Sequence, residues 1–258
     1  MRIVRFTPAS GGTASYGLLE GDGDDRVVAV LEEPPYEEVR RTGEVLPLRD
    51  VTLLAPVEPS KVLAFGRNYA EHAKELGNEV PEIPVVFSKP STAVVGDGAA
   101  VAYPALTQDL HFEGELAIVI GTRCKDVPVK DVAGVVLGYT VANDLTMRDR
   151  QRLEKQWTRA KGFDGSCPLG PWVETDLDPS ALSLRTTVNG EVRQDGTTAD
   201  MLHDVAACVS WVSAAMTLLP GDVVLTGTPA GVGPVVVGDD VAVTVEGIGT
   251  LTTRIVDA

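Results

Sequence analysis

The sequence predicts a β-rich, mixed α/β fold, a compact β-roll or sandwich, and three observations predict it. Short apolar or alternating runs bounded by turn residues outnumber helical patterns along the chain. The 26 Gly and 17 Pro against only 5% aromatic residues describe many tight turns between strands of small and β-branched side chains. Strands and helices do not alternate regularly, so a roll or sandwich is preferred over a Rossmann-type sheet. At 258 residues, 44% hydrophobic and 23% charged, the chain can hold one sizeable core, or a large domain with a small appendage.

Residues 1–55 are expected to form a small N-terminal β domain, with strands at Ile3 to Phe6, Ala14 to Leu19 and Val27 to Leu31 separated by Gly-rich turns. The segment LLAPVEPSK leads into the main domain, residues 56–258. There KVLAF, PVVFSK, GELAIVIG and VLGYTVAND are the firm strands. The clearest helix is expected to start near Asp200, a residue suited to an N-cap, with Leu202, Val205, Val209, Val212 and Met216 on one stripe. Pro220-Gly221-Asp222 ends it, and DVVLTGT and a hairpin through VAVTVEGIGTLTTRI follow, with Gly247 and Gly249 near the turn.

A formal net charge of −15 argues against a nucleic-acid partner, which needs clustered Lys and Arg to displace phosphate counterions. The three cysteines, Cys124, Cys167 and Cys208, are far apart and lack CxxC spacing, so neither a disulfide framework nor a thiolate zinc site is suggested. The N-terminus lacks the apolar stretch of a signal peptide, and no apolar run approaches the ~20 residues of a membrane span. A cytoplasmic protein with no membrane partner is the expectation.

In HFEGELAIVIG, Glu113 and Glu115 sit two apart, so a strand puts both on one face, which Ala117 and Val119 continue as apolar. Two acids there are either a solvated strand face or a pair neutralised by a cation. Asp144 ends a second apolar strand, and a third carboxylate converging there gives the incomplete oxygen shell of Mg²⁺ or Mn²⁺. His111, on the same face, is left outside the metal set. In GRNYAEHAKELG, His72 and Glu75 are three apart, the spacing of a surface turn or of an imidazole base with its orienting carboxylate. Gly66 and Gly77 at its ends permit a lid. TGTPAGVG after a strand lets backbone amides and Thr hydroxyls approach an anion, but it lacks the Lys of a P-loop. Lys161 is either a solvated lysine or a cation facing a substrate carboxylate.

From about Lys61 to Thr250, the motifs GRNYAEHAKELG, FSKPST, FEGELAIVIG, GYTVANDLTMRDRQ, AKGFDGSCPLGP, VNGEVRQ and LLPGDVVLTGTPAGVG occur in an order that resembles the fumarylacetoacetate hydrolase family. The resemblance implies that family's mixed β-roll catalytic domain behind a small N-terminal domain, a homodimer, and a small 2-oxo acid as substrate. It also implies roles: Glu113, Glu115 and Asp144 as ligands of Mg²⁺ or Mn²⁺, His72 with Glu75 as the water-activating pair on a lid, and Lys161 as a catalytic cation. Arg148, Gln151 and Thr228 are then substrate-binding. Two departures stand out, Met147 where a small residue is common and a shortened GPVVVGDD loop. Hydrolysis of acylpyruvates is the first activity implied. Oxaloacetate decarboxylation and 2-hydroxyhepta-2,4-diene-1,7-dioate isomerisation are the alternatives, and a non-enzymatic, degenerate metal-binding protein is the remote one.

Overall fold

The computed structural model describes residues 1–77 and 79–258. Five strands open the chain: β1 (Arg2–Pro8), β2 (Ser15–Glu20), β3 (Val27–Leu31), β4 (Arg41–Pro47) and β5 (Val51–Leu53). The next stretch holds β6 (Val62–Gly66), helix α1 (Ala70–Glu75), β7 (Val85–Lys89), β8 (Val94–Val95) and β9 (Ala99–Ala102). The centre of the chain follows with β10 (Leu110–Phe112), β11 (Gly114–Ile120), β12 (Val136–Asn143) and β13 (Thr146–Met147). After it come the short helices α2 (Arg148–Leu153) and α3 (Thr158–Lys161), then β14 (Cys167–Glu174), β15 (Ser183–Val188) and β16 (Glu191–Thr197). Helix α4 (Val205–Ala215), β17 (Val223–Leu225), β18 (Gly233–Pro234), β19 (Asp240–Val245) and β20 (Gly249–Val256) complete it. Strand accounts for 42% of residues and helix for 19%, with no closed barrel, so the β-rich mixed fold expected from the sequence is the one observed.

The large sheet runs β4-β3-β2-β1-β14-β12-β11-β17-β6-β7, with β5 on β1 and β8 on β14, and a five-stranded sheet runs β16-β15-β19-β20-β9. Most pairs are antiparallel, but β17 with β6, β20 with β9 and β14 with β8 are parallel. β11 sits inside the large sheet and is buried along its whole length because both faces are covered. Leu116, Ile118 and Ile120 pack with Leu184, Val243 and Leu251 of the five-stranded sheet and with Val209 and Val212 of α4. Ala117 and Val119 point the other way, into a second cluster with Val62, Ala64 and Leu225.

Helix α4 starts later than expected. Its N-cap is Asp204, whose side chain accepts from the Ala207 amide at 2.8 Å, while Thr198–Asp200 is a separate 3₁₀ turn. The reason is Asn68: its carbonyl accepts from the Leu202 amide and its Oδ1 from the His203 amide, both at 2.8 Å, which holds residues 202 and 203 outside the helix. Leu202 consequently lies outside the helix and is exposed, Met216 is the helix's extended C-cap and is exposed too, and Val205, Val209 and Val212 are buried. The terminal hairpin turns where expected, with Gly247 at φ 76°. The three cysteines are buried and unpaired. No helix among the described residues is long and apolar enough to cross a membrane.

Candidate active site

The site is built where the middle of the large sheet ends. Glu113 lies just before β11, not within it, and Asp144 just after β12. The two segments are registered by backbone: the Asp144 amide donates to the Glu113 carbonyl at 2.8 Å, and Asn143 Oδ1 accepts from the Glu113 amide at 3.1 Å. Between the two glutamates only glycine fits, since a β-carbon on Gly114 would sit 2.3 Å from Thr186 Oγ1 and 2.9 Å from a methyl of Val243. Close packing of the five-stranded sheet thus turns both carboxylates to the opposite side. One ligand oxygen from each of Glu113, Glu115 and Asp144 falls within 4.8 Å of the others, and all three residues are buried.

Cations answer two of the three acids. Lys161 Nζ, at the end of α3, donates to Glu113 Oε2 at 2.7 Å and to Asp144 Oδ2 at 2.6 Å. Lys89 Nζ donates to Asp144 Oδ1 at 2.5 Å, and Arg148 pairs with Glu113 through Nη2. Among the described residues Glu115 receives only the Gly227 amide, at 2.7 Å on Oε2. Burial pushes its carboxyl well above the usual range, and the charges of Asp144 and Glu113 push it further. Glu113 moves the opposite way: burial opposes ionisation there, but Lys161 and Arg148 overcome it and hold the carboxyl far below its usual range. An all-carboxylate donor set with one uncompensated acid fits a hard divalent cation, which would neutralise Glu115 in place of a proton.

His72 and Glu75 lie on α1. The ring is buried, Nδ1 lies 3.3 Å from Glu75 Oε2, and Glu75 also accepts from the Gly231 amide at 3.0 and 3.2 Å. Burial pushes the His72 pKa below its ordinary value despite Glu113 and Glu75, so the ring is neutral at pH 7. With Nδ1–H donating to Glu75, Nε2 is left able to take a proton. The TGTPAGVG loop spends its amides on these acids, Gly227 on Glu115 and Gly231 on Glu75, so those amides serve the chain's own carboxylates.

A cavity of about 510 Å³ is lined by His72, Glu75, Glu113, Glu115, Arg148, Gln151, Lys161 and Thr228, together with the half-buried Arg67 and Trp157. Asp144 is the one predicted site residue outside that lining, and it sits behind Lys161. Gln151 accepts from Arg148 Nη1 at 2.6 Å. Thr228 donates to the Gly114 carbonyl at 2.8 Å and accepts from Gln194 Nε2 at 2.7 Å, so its hydroxyl is engaged in positioning the strand end. His111 pairs with Asp109 at 2.8 Å and is not in the triad. Met147 is buried in the core and does not reach the cavity.

Three residues escaped the sequence reading. Lys89 carried a signal, because in PVVFSK it continues the alternation of Val85 and Phe87 into a buried position. Gln194, whose Oε1 accepts from the Gly114 amide at 3.0 Å, and Arg67 carried none.

Residues 61–256 match the family model described as fumarylacetoacetate (FAA) hydrolase C-terminal, and residues 1–56 match one described as Rv2993c-like, N-terminal. The chain belongs to the fumarylacetoacetate hydrolase family. It is an enzyme of that metal-dependent family, whose members include hydrolases, isomerases and tautomerases by name. Among solved relatives, 5-carboxymethyl-2-hydroxymuconate delta-isomerase from Mycobacterium smegmatis is 52% identical with a TM-score of 0.94, over 100% of both chains. Oxaloacetate tautomerase YcgM of Escherichia coli K12 is 46% identical over 203 residues, 76% of this chain and 92% of its own. Fumarylpyruvate hydrolase from Pseudomonas aeruginosa, solved in complex with Mn²⁺ and pyruvate, is 36% identical with a TM-score of 0.73, over 80% of this chain and 92% of that one.

Proposed function

We propose that this family member moves a proton beside the carbonyl of a small 2-oxo acid, interconverting the keto and enol forms of an oxaloacetate-type substrate, with Mg²⁺ or Mn²⁺ bound at Glu113, Glu115 and Asp144. The observation that carries the reading is a buried His72, oriented by Glu75, in the cavity that Glu113 and Glu115 line, with Asp144 clustered beside them. A divalent ion there supplies a Lewis acid for the keto and carboxylate oxygens of a 2-oxo acid. His72 Nε2 takes the proton from the carbon next to the carbonyl; the C–H bond breaks, the N–H bond forms, and the electron pair moves to oxygen. The same proton returns to that oxygen, giving the enol. Lys161 and Arg148 line the cavity as buried positive charge, held in place by Glu113 and Asp144, and would stabilise an oxyanion that develops beside them.

Acylpyruvate hydrolysis, the first activity implied by the motifs, is the second reading. The His72–Glu75 pair favours it, because the same Nε2 could take a proton from water for attack on a distal carbonyl. Proton movement is preferred because the relatives named for it, the delta-isomerase at 52% identity and the tautomerase at 46%, are more similar than the hydrolase at 36%, and of the two the tautomerase's substrate is a 2-oxo acid by name. Oxaloacetate presented as keto or enol, followed by ultraviolet absorbance beside carbon dioxide release and acylpyruvate cleavage, decides between them. Exchange faster than with the ion alone, abolished by EDTA and without cleavage, supports the first reading; metal-dependent cleavage of an acylpyruvate with no such exchange sinks it. A homodimer is part of the same proposal, and light scattering should give twice the 27.2 kDa chain mass. A monomer mass would remove that part alone.

A further inference from the structure

Arg67 stands apart from the other cations of the cavity. Lys161 and Arg148 are tied to the triad, and the exposed Arg152 reaches Asp109 at 3.4 Å. Arg67 lines the same cavity, is half-buried, and has no hydrogen-bond or ion-pair partner among the described residues. In a chain with 37 acidic residues against 22 basic ones, a sheltered guanidinium without a carboxylate is unusual, since desolvation without a partner opposes folding.

Its backbone is also costly to hold. Arg67 lies at φ 59°, in the left-handed region that disfavours any residue with a β-carbon. The neighbouring Asn68 imposes it: Nδ2 donates to the carbonyls of His203 at 2.9 Å and Thr226 at 2.8 Å, and Oδ1 accepts from the His203 amide. On the other side, Trp157 covers Gly66 so closely that a β-carbon there would meet its ring at 2.7 Å. Glycine at position 67 would relieve the strain, so the arginine side chain is kept for something other than folding.

Charge points to what it meets. Lys89, Lys161 and Arg148 equal the triad's carboxylates in number, although their contacts go to Glu113 and Asp144 and leave Glu115 to the ion. Among the described residues that line the cavity, Glu75 is then the acid left to oppose a divalent ion and Arg67, and the positive charge left over matches a dianion better than a monocarboxylate. We propose that Arg67 binds the distal carboxylate of a dicarboxylic 2-oxo acid and selects diacids over monoacids at this site. The proposal rests on the 2-oxo acid reading above. It places the chelating end of the substrate at the buried triad and the second carboxylate at the half-buried guanidinium, where a bidentate pair can form.

The test is binding of oxaloacetate and of its 4-methyl ester, which keeps the 2-oxo acid end, to the Mg²⁺-loaded protein by calorimetry, with turnover measured in parallel. The wild type should prefer the diacid by about tenfold or more, the scale of one charge-assisted pair in a partly solvated site. Arg67→Gln should bring that ratio close to one, and Arg67→Lys should keep part of it. Arg67→Gly should do the same as Arg67→Gln while melting at the wild-type temperature or above, which separates lost recognition from lost folding. Equal binding of diacid and ester by the wild type, or an unchanged ratio in Arg67→Gln and Arg67→Gly, overturns the proposal. An Arg67-dependent preference without turnover of oxaloacetate would sink the reaction proposed above and leave Arg67 in place; turnover without preference does the reverse.

Discussion

His72 is the residue on which the proposed chemistry turns, and its surroundings fix how it titrates. Burial disfavours the imidazolium more than Glu113 and Glu75 favour it, so the folded-state pKa lies below the ordinary value of 6.5. Activity that needs the neutral ring should therefore persist as pH falls through 6.5 and fail only at lower pH. The unfolded chain takes up the proton first, so His72 stabilises the fold fully above 6.5 and loses that contribution as pH falls towards its depressed pKa. His72→Ala should lower proton-transfer turnover by ~10²-fold, the usual scale for a lost general base, with ion affinity by calorimetry unchanged. Undiminished turnover would assign the proton to another group. At this scale the sequence was readable where geometry is local: three residues on one helical turn bring His72 to Glu75, and strand parity brings Glu115 in line with Ala117. Lys89 and Gln194 meet their partners across 55 and 80 residues, and no local pattern encodes such a meeting.

At the level of elements, the parallel pair β6–β17 carries α1 and the TGTPAGVG loop side by side, and Asp222 ties the starts of both strands. Its buried carboxylate accepts from Ser60 Oγ at 2.6 Å, the Lys61 amide at 3.2 Å and the Leu219 amide at 2.8 Å, and it pairs with the Lys61 ammonium. Pro220-Gly221-Asp222 reads in sequence only as a stop after a helix, because the four groups that Asp222 gathers come from two distant segments. Asp222→Ala leaves several donors and a cation without their acceptor, a loss of about 3 kcal/mol or more by urea unfolding. Asp222→Asn, which keeps an acceptor, should lose less; equal, small losses would show that solvent replaces the carboxylate. The late start of α4 has a similar origin. Asp200 and Asp204 are both competent N-caps by local chemistry, and the choice between them is made by Asn68, 135 residues from His203.

At the scale of the whole molecule, the metal site is a product of the complete fold. Glu113 comes from just before β11 and Glu115 from its start, Asp144 from just after β12, Lys89 from the end of β7 and Lys161 from α3, and Gly114 lets the five-stranded sheet press against the chain between the two glutamates. The unfolded chain has no such cluster, so a divalent ion binds the folded state alone and stabilises it by mass action. Mg²⁺ or Mn²⁺ at a hundredfold excess over its Kd should add ~2.7 kcal/mol, a rise in Tm of about 5–10 °C for a chain of this size. The same ionic strength supplied as NaCl should give much less, because screening of surface charge does not replace ligation of Glu115. Glu115→Gln is the decisive variant. It removes the buried acid that no cation offsets, so the ion-free protein should melt at or above the wild-type temperature, while the rise with Mg²⁺ or Mn²⁺ disappears. A Glu115→Gln protein that keeps the full ion-dependent rise would place the ion elsewhere. One that unfolds without ion would show that Glu115 holds the Gly227 turn rather than a cation.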